Sequence, residues 1–169
     1  MKIFLTGARG MVGRNVAALL PKDHSLIAPS KKELNLKNFD QLITYLSLNK
    51  PDLIIHAAGL VGGIKTNFEH QRDFLLENLE IGKNLITAAH STNIKKIINL
   101  GSSCMYPKFG NNPLTEDQIL KGALEETNEG YAIAKIFNLK LCSYIMQEDS
   151  NFEYKTLIPC NLFGVFDKF

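Results

Sequence analysis

The sequence of 169 residues contains no apolar run that approaches the roughly 20 residues of a membrane span. Its formal net charge is only +2, too small an excess to indicate a nucleic-acid or anionic-membrane partner. It has three cysteines, an odd number without paired or metal-site spacing, so we expect reduced thiols and neither a disulfide framework nor a bound metal. The start of the chain lacks the cleavage region of a signal peptide. These absences predict a cytoplasmic protein that acts away from membranes and nucleic acids.

What the sequence does contain is an alternation of short apolar runs and longer amphipathic segments, with the 45% hydrophobic and 21% charged content of a globular domain. We predict strands at Lys2–Thr6, His24–Ala28, Leu53–Ala57, Lys96–Leu100 and Lys155–Cys160. We predict helices at Met11–Leu20, Lys37–Asn49, Gln71–Thr92 and Tyr131–Gln147. Apolar strands that alternate with helices are typical of a parallel sheet covered on both faces. The predicted fold of residues 1–169 is therefore one Rossmann-type doubly wound α/β domain, with an irregular stretch, Tyr106–Gly130, as a loop over a site.

A glycine-rich turn, GARGMVG, joins the first predicted strand to the first helix. Glycine tolerates unusual dihedral angles, lets the backbone touch a pyrophosphate and permits close packing of helix on strand, and the helix N-terminus adds amide donors. This position favours a dinucleotide site over a purely structural turn, with contacts from Gly7, Arg9, Gly10, Met11, Val12 and Gly13. The GxxGxxG spacing differs from the GxGxxG fingerprint and resembles that of short-chain dehydrogenases/reductases.

The residues after the second predicted strand indicate which dinucleotide binds. NAD-binding domains usually place an acid there for the ribose hydroxyl, whereas NADP-binding domains place cations there for the 2′-phosphate. Here Lys31 and Lys32 come before the first acid, Glu33, and Arg9 adds a cation within the glycine turn. The two lysines could be an ordinary solvated pair, but their position favours NADP(H).

A tyrosine and a lysine four residues apart, Tyr131 and Lys135, lie on one face of a predicted helix. A free phenol has a pKa near ~10, so it exchanges protons poorly at neutral pH unless a cation stabilises the phenolate, as Lys135 could. The serines of Gly101-Ser102-Ser103 follow the fourth predicted strand, at the edge where such sheets bind ligands. A surface Tyr–Lys pair is the alternative, but the combination favours a proton shuttle for carbonyl reduction.

Five segments together form a more specific pattern: residues 7–13, 56–64, 100–108, 127–135 and 159–164. They resemble the GDP-L-fucose synthase family, the GDP-4-keto-6-deoxy-mannose 3,5-epimerase/4-reductases of the extended short-chain dehydrogenases. The resemblance implies reduction by Ser102, Tyr131 and Lys135, and epimerisation with Cys104 as acid/base. It implies further NADP(H) contacts from Lys31, Lys32, Leu36, Ala57, Ala58, Leu100, Gly101, Ser103, Lys135, Pro159, Asn161 and Leu162.

The resemblance also implies a GDP-sugar substrate and a homodimer formed through the helices near 71–92 and 131–147. On the sequence alone, the apolar stripes of these helices could equally serve the monomer core. His56 could be a core histidine whose ring nitrogens are hydrogen-bonded, and Cys104 could be a buried cysteine in apolar surroundings. The chain departs from the family by Gly130, where proline is usual, and by ending before the family's catalytic histidine and carboxyl-terminal substrate domain.

Three functions remain open at this point. The first is conversion of GDP-4-keto-6-deoxy-mannose to GDP-L-fucose, or a related reaction on a GDP-4-keto-dideoxy sugar or a GDP-4-keto-heptose. The second is a truncated, non-catalytic NADP-binding module, since residues 1–169 alone should bind NADPH without turnover. The third is another extended short-chain enzyme, a 4-epimerase or 4,6-dehydratase, which the cations after the second predicted strand and Cys104 argue against.

Overall fold

The computed structural model describes residues 1–20 and 22–167 as a five-stranded sheet with helices against it. All neighbouring strands are parallel, in the order β2-β1-β3-β4-β5. The strands are β1 (Lys2–Thr6), β2 (Ser25–Ile27), β3 (Leu53–His56), β4 (Lys96–Leu100) and β5 (Glu153–Leu157). The helices are α1 (Met11–Leu19), α2 (Phe39–Asn49), α3 (Ile64–Glu69), α4 (Gln71–Ser91) and α5 (Glu129–Glu148).

This parallel α/β architecture confirms the predicted fold class. Crossovers between parallel strands are right-handed. Helix α1 connects β1 to β2 in one direction along the sheet, whereas α2, α4 and α5 each connect two strands in the opposite direction. Helix α1 therefore lies on the opposite face of the sheet from the other three helices. The sheet is therefore doubly wound. None of the helices in the described ranges is long and apolar enough to cross a membrane.

All the predicted element bounds lie within two residues of the observed ones except the end of β5, which comes three residues earlier than predicted. Local chemistry explains one of the differences. Helix α2 begins at Phe39, not at Lys37, because the Asn38 side chain accepts a 2.9 Å hydrogen bond from the Gln41 amide and caps the helix. Helix α3 was not predicted, since six residues are too few to show a helical period. The predicted loop over Tyr106–Gly130 holds two 3₁₀ turns, Glu116–Gln118 and Glu126–Asn128.

One face of the sheet changes from apolar to polar along the strands. Phe4, Ile54, Ile97 and Tyr154 are paired across four strands and are buried in the cluster formed with α2, α4 and α5. Each such large side chain stabilises the fold by about 1.5–3 kcal/mol. Two residues further along the same strands, the paired positions hold Thr6, His56, Asn99 and Thr156. Polar groups therefore lie under the carboxyl edge of the sheet, where parallel α/β folds bind ligands.

Candidate active site

A cleft of about 610 Å³ opens at the carboxyl edge of the sheet, around the ends of β1 and β3. The strand order reverses here, because β2 lies on one side of β1 and β3 on the other. Ten of the residues predicted to bind the cofactor line this cleft. They are Gly7, Arg9, Gly10, Met11, Val12, Gly13, Lys31, Leu36, Ala57 and Ala58.

The three glycines of the turn have different structural roles. Gly7 has a φ of 71°, and a Cβ on it would lie 2.5 Å from the Ala57 carbonyl oxygen. A Cβ on Gly13 would lie 2.2 Å from the Gly7 carbonyl oxygen. At Gly10 the nearest heavy atom would be 3.4 Å away. Gly7 and Gly13 thus permit close packing of α1 on the sheet, whereas Gly10 leaves open surface toward the cleft.

The N-terminus of α1 meets the cleft beside this open surface. Gly10 is the N-cap residue, and among the described residues no side chain caps the helix. The first amide groups of an α-helix have no partners within the helix, and the helix dipole adds positive potential there. The cleft therefore fits a dinucleotide, with the pyrophosphate at α1.

The segment after β2 presents a lysine to the cleft, while its acid does not line the cleft and bonds to the backbone. A Glu33 carboxylate oxygen accepts a 2.6 Å hydrogen bond from the Ser30 amide, and this bond lowers the pKa of Glu33. Lys31 lines the cleft, whereas Glu33 and the exposed Lys32 do not. The described cleft wall near Arg9 and Lys31 therefore suits an additional phosphate.

Helix α4 contributes a part of the cleft that sequence reasoning missed. Glu77 and Ile81 line it, and the Glu77 carboxylate accepts a 2.6 Å hydrogen bond from the Lys37 ammonium. Lys37 and Glu77 lie about forty positions apart in sequence, so no local sequence pattern could predict their contact. Asp167 lines the cleft from further along the chain. Other lining residues lie within or next to the predicted segments: Phe4, Thr6, Ala8, Pro29, Ser30, Leu34, Asn35, Gly59, Leu60 and Val61.

The four predicted catalytic residues are brought together beside this cleft. The Lys135 ammonium lies 5.5 Å from the centroid of the Tyr131 ring. Cys104 interacts electrostatically with both Tyr131 and Lys135, and its amide donates a 3.4 Å hydrogen bond to the Ser102 hydroxyl. A Cβ on Gly59, which lines the cleft, would lie 3.8 Å from the Lys135 ammonium. The cluster therefore adjoins one end of the cleft.

Burial dominates the proton affinities of these groups. Burial, with a smaller effect of the neighbouring Cys104, raises the pKa of Tyr131 to about 12. In the structure the pKa of this phenol is thus raised, whereas a stabilising cation would lower it, because burial removes the hydration of the phenolate. Burial also raises the pKa of the Cys104 thiol and lowers that of Lys135 to about 8. Both Tyr131 and Cys104 therefore hold a proton at neutral pH and can donate it.

His56 lies under the site as a neutral core residue. It is 1% exposed, and burial followed by the nearby Lys135 charge lowers its pKa to about 3. Its Nδ1 lies 2.8 Å from the Thr6 hydroxyl, which also accepts a 3.2 Å hydrogen bond from the Ala58 amide. These contacts join the ends of β1 and β3 at the cleft.

Apart from Lys32 and Lys135, the remaining predicted cofactor residues lie at or after the ends of β4 and β5, and none of these residues lines the cleft. The Gly101 amide donates a 2.8 Å hydrogen bond to the Leu157 carbonyl, and the Ser103 amide donates one of 3.1 Å to the Pro159 carbonyl. The two strand ends are thereby joined. Leu100 accepts a hydrogen bond from Lys135, while Asn161 and Leu162 are exposed.

A dinucleotide-sized cleft beside a Ser-Cys-Tyr-Lys cluster defines a class of nicotinamide-dependent α/β proteins. The sequence profile of the NAD dependent epimerase/dehydratase family matches residues 3–169, so the chain belongs to that family.

Two curated relatives and one solved structure show the range of similar proteins. GDP-L-colitose synthase of Yersinia pseudotuberculosis is 59% identical over 100% of this chain and 55% of its own length. GDP-L-fucose synthase of Azorhizobium caulinodans is 45% identical over 99% of this chain and 54% of its own. A GDP-D-glycero-L-gluco-heptose synthase of Campylobacter jejuni, solved in the presence of NADPH, has a TM-score of 0.89 and 30% identity over 96% of this chain and 48% of that one. The chain thus spans about half the length of these relatives.

Proposed function

We propose that the protein containing this chain is an NADPH-dependent epimerase/reductase that converts a GDP-4-keto-6-deoxy-mannose-type sugar to GDP-L-fucose. The observation that carries this proposal is the Ser102-Cys104-Tyr131-Lys135 cluster beside the glycine-lined cleft. Its groups can donate protons to an oxygen and to a carbon, which a combined reductase and epimerase requires. The relatives act as synthases of GDP-L-fucose, GDP-L-colitose and a GDP-heptose by their names.

Binding of NADP(H) is supported by the shape and charge of the cleft. Gly10 and the uncapped start of α1 would hold the pyrophosphate. Lys31 and Arg9 line the wall where an adenosine 2′-phosphate would lie. The nicotinamide end would then extend past Gly59 toward Lys135. When bound, the cofactor supplies a hydride to the keto carbon.

The protein's own groups would manage the protons. The Ser102 hydroxyl orients the keto oxygen, and the phenol of Tyr131 gives its proton to that oxygen as the alkoxide develops. Lys135 adds a positive charge within 5.5 Å of the phenol ring and so stabilises the phenolate that remains. In the epimerisation, the ketone acidifies the carbon next to it, so a base can remove the proton of that carbon from one face and leave an enolate. The family resemblance assigns this base to a histidine outside residues 1–169. Cys104 gives its proton to the opposite face of the carbon, and exchange with solvent then returns the base and the thiolate to their starting states.

A second candidate substrate is a GDP-4-keto-3,6-dideoxy sugar. The higher identity to GDP-L-colitose synthase, 59% against 45% for the GDP-L-fucose synthase, favours it. The dideoxy sugar lacks the hydroxyl at carbon 3, so only carbon 5 would be epimerised.

The experiment that separates these substrates uses the purified gene product, NADPH and each GDP-keto sugar in D₂O. Consumption of NADPH reports reduction, and NMR of the product reports deuterium at carbons 3 and 5. Deuterium from solvent at both carbons of the 6-deoxy-mannose substrate supports the first proposal. Turnover restricted to the dideoxy sugar moves the assignment to the second, and no NADPH consumption on either sugar rejects both.

We also propose that the protein is cytoplasmic and forms a homodimer through α4 and α5. Several apolar side chains of these helices remain exposed in the single chain: Leu76, Ile133, Phe137 and Tyr144. The occupant that fits this surface is a second copy, because the family resemblance pairs the corresponding helices. Light scattering of the gene product should give a dimer mass, and an Ile133→Glu variant should give a monomer.

A further inference from the structure

One side chain of α4 bridges the junction that leads into the catalytic helix. In the Gln71 side chain, Nε2 donates a 2.6 Å hydrogen bond to the main-chain carbonyl of Glu126, and Oε1 accepts a 2.8 Å hydrogen bond from the main-chain amide of Gly130. Glu126 begins the last 3₁₀ turn, and Gly130 is the second residue of α5. The bridge therefore ends one residue before Tyr131.

Helix α5 lacks the usual local cap at this end. Its N-cap residue, Asn128, makes no side-chain capping bond, and the buried Asn128 Oδ1 has no partner among the described residues. A helix N-terminus leaves its first amides without partners in the helix, and capping one of them contributes about 1 kcal/mol. Gln71 supplies this cap from a different helix.

Gly130 makes the contact possible in two ways. A Cβ on Gly130 would lie 2.4 Å from the Gln71 main-chain oxygen, so a larger residue would push the two helices apart. Glycine also keeps the amide hydrogen that Gln71 binds, whereas proline, the usual residue of the resembled family here, has none. Gly130 thus supplies both the space and the amide hydrogen that the Gln71 cap requires.

The same first turn of α4 also contacts the catalytic phenol. Phe74 is 2% exposed, and its ring meets that of Tyr131 edge-on, with centroids 6.4 Å apart and an interplanar angle of 79°. Gln71 and Phe74 lie one turn apart on α4, so a single turn holds both the backbone before Tyr131 and its ring.

We propose that Gln71 is a positioning residue, which caps α5 from α4 and so fixes where Tyr131 presents its hydroxyl. This inference rests on the proposed function, in which Tyr131 is the proton donor. A displacement of ~1 Å in such a group can cost a factor of ~10² in rate. Loss of the cap should therefore reduce the chemical step more than cofactor binding.

The test compares two variants of nearly equal size in the full-length gene product. Gln71→Met removes both hydrogen bonds, while Gln71→Glu keeps an acceptor for the Gly130 amide and loses only the donor to Glu126. We expect Gln71→Met to lower kcat by about ten- to a hundredfold with KM for NADPH within about twofold, and Gln71→Glu to keep most of the turnover. In the free protein, hydrogen exchange of the amides of residues 129–133 should speed up in Gln71→Met alone.

The exchange measurement also separates this inference from the proposed function. If neither GDP-keto sugar is turned over but exchange changes only at residues 129–133, the proposed reaction fails and the cap stands. Wild-type kcat and unchanged exchange in Gln71→Met overturn the inference. The inference is also overturned if hydrogen exchange in Gln71→Met speeds up throughout the chain. It is overturned as well if kcat falls as far in Gln71→Glu as in Gln71→Met.

Discussion

The ammonium of Lys135 donates a 2.9 Å hydrogen bond to the main-chain carbonyl of Leu100, the last residue of β4. This bond joins the second turn of α5 to the strand end that Ser102 follows. The side chain is 5% exposed, so the contact places a cation in a largely dehydrated position. Residues far apart in sequence are thereby held in one cluster, and the charge state of this cation has measurable consequences.

Reduction should weaken as pH rises through about 8. Burial lowers the pKa of Lys135 to about 8, so its ammonium loses a proton there and no longer stabilises the phenolate. The pKa of Tyr131, raised to about 12, lies too high to produce this limb. A pH profile of kcat for the gene product should show this fall in kcat near pH 8. Lys135→Met should remove most of the turnover, and the activity that remains should not fall near pH 8. A limb near pH 10 would contradict the assignment.

Tyr131→Phe should abolish turnover because it removes the proton donor and nothing else from the ring. The edge-on contact with Phe74 is kept, so the position of α5 should not change. Isothermal titration should give an NADPH affinity within about twofold of wild type, and the rate should fall by at least about a hundredfold. Near-normal turnover of this variant would refute the catalytic role of Tyr131.

Two alanine substitutions in the glycine turn should separate folding from cofactor binding. Gly13→Ala should cost about 3 kcal/mol of unfolding free energy, because its Cβ would collide with the Gly7 carbonyl oxygen. Gly10→Ala should cost about 1 kcal/mol or less, yet weaken NADPH binding about tenfold by placing a methyl group in the cleft. Urea unfolding and NADPH titration measure the two effects. Unchanged NADPH affinity in Gly10→Ala would show that the turn does not approach the cofactor.

Lys31 and Lys32 form a matched pair for testing the choice of cofactor. Lys31 lines the cleft and Lys32 does not, although both follow β2. Lys31→Ala should weaken NADPH binding about tenfold and leave NADH binding unchanged, as expected for the loss of a charged hydrogen bond to phosphate. Lys32→Ala is the control and should behave like wild type in fluorescence titrations. Equal losses for both cofactors in Lys31→Ala would argue against a 2′-phosphate site.

His56 should make the fold sensitive to acid. Burial lowers the pKa of His56 to about 3 in the folded protein, whereas the pKa in the unfolded chain is near ~6.5. Between these two values the unfolded chain binds a proton that the folded protein does not, so the free energy of unfolding decreases as pH falls from about 6.5 toward 3. The contribution approaches about 1.4 kcal/mol per pH unit in that window. Urea unfolding of wild type and His56→Gln between pH 7 and 4 should show the steeper loss in wild type. Parallel curves would mean that His56 does not titrate with unfolding.

Sequence patterns were sufficient for the fold because its signals are local. The apolar runs that became β1 and β4 were predicted with their correct bounds, and the glycine turn was placed at the cleft it lines. The spacing of Tyr131 and Lys135 on one helix likewise follows from the helical period.

The parts that could not be predicted depend on contacts between distant segments. The Glu77–Lys37 ion pair and the Gln71–Gly130 cap each join residues about forty or more positions apart. The proton affinity of Tyr131 depends on burial, which residue spacing does not reveal, and burial opposed the effect expected from Lys135. The sequence therefore predicted the candidate catalytic groups, but not the contacts that support them or set their proton affinities.

The change from apolar to polar along one face of the sheet has a consequence for variation in this protein. Phe4 and Thr6, or Ile97 and Asn99, are only two residues apart, yet one contributes to the buried cluster and the other to the floor of the site. Substitutions of the apolar set should reduce cellular abundance alone, whereas substitutions of the buried polar set should change both abundance and catalytic output. Natural selection can therefore alter the chemistry of this site only by replacements that also keep the hydrogen bonds beneath it.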